Sequence, residues 1–87
     1  MPPIKSWNEF KAQYALNTLR VWEIMYVAGG RNTPISIIEA LSKDERHQIR
    51  ESVAANASTP MRILQTLSKD RNIHVKNMAY HCITGRT

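Results

Sequence analysis

Hydrophobic and polar positions along the chain recur at an offset of 26 residues. Residues 33–44 (TPISIIEALSKD) and 59–70 (TPMRILQTLSKD) share Thr33/Thr59, Pro34/Pro60, Ile37/Ile63, Leu41/Leu67, Ser42/Ser68, Lys43/Lys69 and Asp44/Asp70, with Ile35/Met61 and Ile38/Leu64 as apolar exchanges. One fixed offset of this size marks stacked supersecondary units. In each copy the Thr-Pro pair predicts a helix start, with threonine as N-cap and proline at the first helical position, where its missing N–H costs nothing. Ile35, Ile38 and Leu41, and their equivalents Met61, Leu64 and Leu67, are expected to face inward. Asp44 and Asp70 are expected to cap a second helix. That helix carries Ile49, Ser52 and Val53 in one copy and Val75, Met78, Ala79 and Cys82 in the other, on one side. Asn56, in VAANASTP, is expected to end its helix in a left-handed conformation.

The first third of the chain is built differently. Pro2 and Pro3 predict an extended lead from Met1 to Lys5. Ser6 and Glu9 have the spacing of a capping box, so a helix should start there. Trp7, Phe10 and Tyr14 form an aromatic stripe, and apolar positions resume at Leu19, Trp22, Met25 and Tyr26 before Gly29-Gly30 stops the run. Asn17-Thr18 either divides the segment into two helices or lies within one. The period reaches back only to residues 27–34, VAGGRNTP, which align with 53–60, VAANASTP. The expected fold is all-α, a single domain over 1–87. It has an aromatic-rich N-terminal capping helix or hairpin at 6–30 and about two helical-hairpin repeats at 33–58 and 59–84. Five of the six aromatic rings lie in the first third. They read as a cap sealing the first repeat in preference to a stacking platform for bases.

At 87 residues, with 43% hydrophobic and 22% charged residues, the chain has the apolar content to fold. Its one cysteine, Cys82, permits no internal disulfide and fits a reducing compartment. The N-terminal MPPIKSWNEFK has no apolar core of signal-peptide length, and no apolar stretch is long enough to span a bilayer. The expectation is a cytoplasmic protein. The net charge of +5 is uneven: residues 1–32 hold four Lys+Arg against two Asp+Glu, residues 33–59 three against four, and residues 60–87 five against one. An excess of this kind suits an anionic partner.

Residues 49–70, IRESVAANASTPMRILQTLSKD, resemble the leucine-rich repeat variant family, whose pattern is roughly V-R-x-x-V-A-x-N-P-x-T-P-x-x-x-L-x-x-L-A-x-D. Ile49-Arg50, Val53-Ala54, Asn56, Thr59-Pro60, Leu64, Leu67 and Asp70 carry the match. Ala57 stands where the family has proline, Ser42 and Ser68 where it has alanine, and Lys76 where it has arginine. The resemblance covers about residues 27–83. It implies a short right-handed α-solenoid akin to HEAT and armadillo repeats. The iron–sulfur centre that some members hold on an N-terminal cysteine cluster is not implied, since no cysteine precedes Cys82.

Equivalent residues of stacked units line up in columns about 8–10 Å apart. Lys43 with Lys69, and Arg50 with Lys76, form two basic columns that Arg46, Arg62 and Arg71 extend into a strip suited to a phosphate backbone. The other reading pairs Arg50 and Lys76 with Asp44 and Asp70 in a ladder between repeats. His74, His81 and Cys82 are the only grouping with metal-ligand chemistry. It lacks a fourth ligand and Cys82 falls on the apolar stripe, so no metal and no cofactor are expected. With no nucleophile-base pair and no phosphate-binding loop, an enzyme is not expected. The last repeat has no polar cap, which leaves Ile73, Met78, Tyr80 and Ile83 as candidates for an apolar end face. The expected function is non-catalytic: a small regulatory or adaptor module that docks a protein partner or self-associates through that face. The alternative is a backbone-directed DNA or RNA binder.

Overall fold

The computed structural model describes residues 6–86, Arg86 by its backbone only; the extended lead expected before Ser6 lies outside them. Six helices follow one another with no strand among the described residues: α1 Trp7–Ala15, α2 Val21–Ala28, α3 Ile35–Leu41, α4 His47–Ala55, α5 Met61–Leu67 and α6 Ile73–Arg86. None is long and apolar enough to cross a membrane.

The N-terminal segment divides into two helices. Ser6 Oγ accepts the Glu9 amide at 3.1 Å and starts α1. Asn17, at φ 59°, enters the left-handed region and breaks the run. The Glu23 carboxylate then accepts the Arg20 amide at 2.9 Å ahead of α2. The period holds further back than the sequence pattern indicates. Helices α2, α4 and α6 start at Val21, His47 and Ile73, and α1, α3 and α5 end at Ala15, Leu41 and Leu67, each 26 residues after the last.

Several expected contacts are replaced by others that repeat at the same offset. Pro34 and Pro60 occupy the N-cap position rather than the first helical turn. The threonine hydroxyls point backward, Thr33 donating to Val27 O and Thr59 to Val53 O, both at 2.6 Å. Both threonines are buried, so a hydroxyl closing the loop to the preceding helix answers a need that a solvent-facing cap would not. Asp44 and Asp70 lie in the loops before α4 and α6, where Oδ1 accepts the amide two residues on, from Arg46 and Asn72, at 2.8 Å. Capping of α6 falls to Asn72, whose Oδ1 accepts from His74 N and Val75 N. Asn56 is extended (φ −75°, ψ 121°), not left-handed, because its side chain reaches the preceding unit.

The core runs the length of the chain: Phe10, Leu19, Ile24, Val27 and Ala28, then Ile37, Ile38, Leu41, Ile49, Val53 and Ala54, then Ile63, Leu64, Leu67, Val75 and Ala79. Helix α4 packs between α2 and α6, with α3 and α5 set against them. Ile37 and Ile63 fill the inward positions beside Ile38/Leu64 and Leu41/Leu67, whereas Ile35 is 41% exposed and Met61 half-buried. On α2 the inward face is Ile24, Val27 and Ala28, not Trp22, Met25 and Tyr26, which remain exposed.

Candidate interaction surface

The loops that precede α4 and α6 carry the carboxylates of two of the three ion pairs found among the described residues. Arg50 lies on α4 with its side chain 8% exposed, and its guanidinium takes Asp70, 10% exposed, in a two-point grip: Nε to Oδ2 at 2.7 Å and Nη2 to Oδ1 at 3.1 Å. Its Nη1 donates to Asp44 O at 2.7 Å and Glu45 O at 2.9 Å. Burial alone would raise the Asp70 carboxyl, yet the Arg50 and Asn72 hydrogen bonds outweigh it and hold it below the usual carboxylate range. One unit earlier, Asp44 accepts from Tyr14 Oη at 2.5 Å and from Arg46 Nε and Nη2 at 3.0 and 3.1 Å. Here too burial raises the carboxyl and the Arg46 and Tyr14 hydrogen bonds prevail, lowering it. Burial, with the hydrogen bond to Asp44 and its charge, pushes the Tyr14 hydroxyl up to about 12.

A second tie joins neighbouring units through the backbone. Asn56 Nδ2 donates to Ala28 O and Gly30 O, both at 2.8 Å, while its Oδ1 accepts from Ser58 N and Ser58 Oγ donates to Arg31 O. Sequence reasoning missed this contact. The signal available for it was the polar residue itself, held in the family-like pattern at a position flanked by buried Val53, Ala54 and Thr59.

Of the seven cations of the predicted strip, three are paired with carboxylates. Arg50 is withdrawn into the grip on Asp70. Arg46 pairs with Asp44, and Arg62 Nη1 pairs with Glu39 Oε2 at 2.8 Å on the surface. Lys43, Lys69, Arg71 and Lys76 are exposed and make no ion pair among the described residues. Lys43 and Arg71 line a shallow hollow of about 290 Å³ beside the Arg50–Asp70 pair.

Of the four apolar end-face candidates, Ile73 is 56% and Tyr80 62% exposed, whereas Met78 and Ile83 are half-buried and pack on the core. Lys76 stands one turn before Tyr80 on α6. Equivalent positions on the earlier helices are buried: Ile24 and Arg50 stand where α6 has Lys76, and Ala28 and Ala54 stand where it has Tyr80. Arg50 is covered by the following unit, whose Asp70 holds it. The same stretch of helix surface is thus closed on α4 and presented to solvent on α6.

The aromatic residues separate into two groups. Phe10 is buried and stacks on Tyr14 with ring centres 5.7 Å apart. Trp22 and Tyr26 are more than half exposed, and Tyr26 lines a hollow of about 550 Å³ with Trp7, Met25 and Arg31. No group of three metal-binding side chains is found among the described residues, and Cys82 is a half-buried free thiol packed on the core. Comparison with models of known protein families, with curated proteins and with solved structures finds no match for this chain.

Proposed function

We propose that this chain is a non-catalytic helical-repeat module that docks a protein partner on the outward face of α6. It is a short right-handed α-solenoid of HEAT-like or leucine-rich-repeat-variant type in which three hairpins, α1–α2, α3–α4 and α5–α6, stack at the 26-residue period. Its setting is a reducing, cytoplasmic one, and its role that of a regulator or adaptor. The reading is supported above all by the exposure of Lys76 and Tyr80 at positions that the preceding units bury. Solenoid units contact only their neighbours, so a helix that seats a unit on one side offers a matching seat on the other. Exposed Ile73 and Tyr80 make that seat apolar enough to favour association. In this reading the buried Arg50–Asp70, Asn56–Ala28 and Tyr14–Asp44 contacts are the internal ties of the stack.

Affinity capture with the wild-type chain, set against Tyr80→Glu and against Trp22→Ser on α2, tests the proposal. Partners lost with Tyr80→Glu and kept with Trp22→Ser are the expected result. Retention of every partner by Tyr80→Glu would remove the α6 face from consideration.

A further inference from the structure

The α6 face also indicates what kind of partner it takes, an inference that rests on the docking role proposed above. Where the face is closed, at α4, the incoming hairpin supplies two things. One is apolar burial over Ala54; the other is the Asp70 carboxylate, which meets Arg50 at 2.7 and 3.1 Å. Lys76 occupies the position of Arg50 on α6, and no residue of α6 is acidic. On α6 and in the loop before it the exposed basic groups are Lys69, Arg71, His74 and His81; Asp70 in that loop is engaged by Arg50, and the exposed Glu45 of the preceding loop shares a hollow with Arg71.

A second copy of this chain fits the seat poorly in either simple arrangement. Two α6 faces brought together would oppose Lys76 with cations, in a region holding five Lys+Arg against one Asp+Glu. In a head-to-tail stack the N-terminal hairpin would enter, and at the register of Asp44 and Asp70 it carries Thr18, whose hydroxyl is bonded to Gln13 O. Like charges at an interface are strongly disfavoured and complementary ones set partner choice.

We infer that the α6 face of this protein seats an amphipathic helical segment of a different chain, with a carboxylate opposite Lys76 and an apolar residue over Tyr80. Lysine is a point charge where arginine is a two-point fork, so the partner carboxylate needs less exact placement than Asp70 does.

Repeat 33–58 provides a probe with the required chemistry. It carries Asp44 at the register of Asp70 and holds three Lys+Arg against four Asp+Glu, opposite in sign to the face it would meet. A fluorescein-labelled peptide of residues 33–58 is titrated with the full 87-residue chain, and anisotropy is read. The expected result is saturable binding, weakened at least about tenfold by Lys76→Glu in the chain or by Asp44→Lys in the peptide. Combining the two changes should recover most of the loss. Circular dichroism should show that Lys76→Glu, at an exposed position, keeps its helices. Appending residues 33–58 through a flexible linker after Thr87 gives a second readout that does not depend on affinity between separate molecules. Its melting temperature should rise, and Asp44→Lys in the appended copy should abolish the rise.

Absence of both effects overturns the inference. Binding that ignores the charge changes but is lost with Tyr80→Glu overturns the acidic partner while sparing the docking role. Binding untouched by Tyr80→Glu defeats that role as well. A chain that light scattering shows to be a dimer, dissociated by Tyr80→Glu, overturns the choice of a different chain over a second copy.

Discussion

A single amide, Asn56, holds two neighbouring turns of backbone in place. Its Nδ2 serves Ala28 O and Gly30 O, and its residue is 2% exposed, so truncation takes this donor from Ala28 O in a site that water does not readily reach and leaves Gly30 O with only the Thr33 amide. Asn56→Ala should cost about 2 kcal/mol, read as a melting temperature lower by about 10 °C for a domain of this size. From sequence, asparagine before Ala-Ser-Thr-Pro reads as a left-handed helix end, because local chemistry is all that a local pattern reports. The partner that decides its conformation lies 26 to 28 residues away. Asp70 follows the same logic with charge: Asp70→Asn leaves the buried Arg50 guanidinium without its counter-ion and should cost about 3 kcal/mol in urea denaturation. The ion pairs also set the pH limits. Asp44 and Asp70 titrate below the usual carboxylate range when folded, so their contribution is complete above about pH 4 and is lost as pH falls through each lowered value. Tyr14 moves the other way. Its hydroxyl is raised to about 12, so its contribution is present below about pH 10 and is lost as pH rises from there to about 12. Tyr14→Phe should therefore reduce the alkaline loss and leave most of the acid loss, in urea midpoints measured across both limits.

Helix α2 shows what an apolar pattern can and cannot decide. Ile24, Val27 and Ala28 share one face by their spacing, and Trp22, Met25 and Tyr26 share another by the same spacing. Periodicity alone gives both equal standing, and ring size favours the wrong one. The choice is made by the neighbour: Asn56 bonds the carbonyl of Ala28, and a bulky side chain on that face would hold the next unit off. In the repeats the pattern fared better. Both copies bury Ile38/Leu64 and Leu41/Leu67, and only the first apolar position was misplaced, because Ile37 and Ile63 turn inward while Ile35 stays exposed. The two faces of α2 should separate cleanly in equilibrium unfolding. Ile24→Ala empties a fully packed position and should cost about 3 kcal/mol, whereas Trp22→Ala, at a residue 58% exposed, should change stability by less than about 1 kcal/mol. A large loss from Trp22→Ala would mean that the ring seals the stack after all.

Charge at the scale of the whole molecule was legible as an excess at the C-terminal end, but not as a surface. The sequence grouped Lys76 with a basic strip and Tyr80 with an apolar end; the fold puts them one helical turn apart on the same exposed face. It also removes Arg50 from solvent and engages Arg46 and Arg62 with carboxylates. The Arg46–Asp44 pair is local, while Arg50–Asp70 and Arg62–Glu39 join residues 20 and 23 apart; the ladder reading offered the Arg50 pair, and the column alignment alone could not choose it over the strip. The consequence separates the two functional readings by salt. Lys43, Lys69, Arg71 and Lys76 are four exposed cations. Even if all of them met phosphates of one duplex, the logarithm of affinity against the logarithm of salt would have a slope near −3.6, and about a hundredfold would be lost between 50 and 200 mM salt. Docking over Ile73 and Tyr80, with one carboxylate at Lys76, should lose only a few-fold over the same range, since apolar burial is not screened. Titrating a mixed-sequence duplex and the residue 33–58 peptide side by side, in 50 and 200 mM salt, makes the comparison on one protein preparation. If the peptide falls as steeply as the duplex, association at this end is governed by diffuse charge, and the apolar seat on α6 has no part in it.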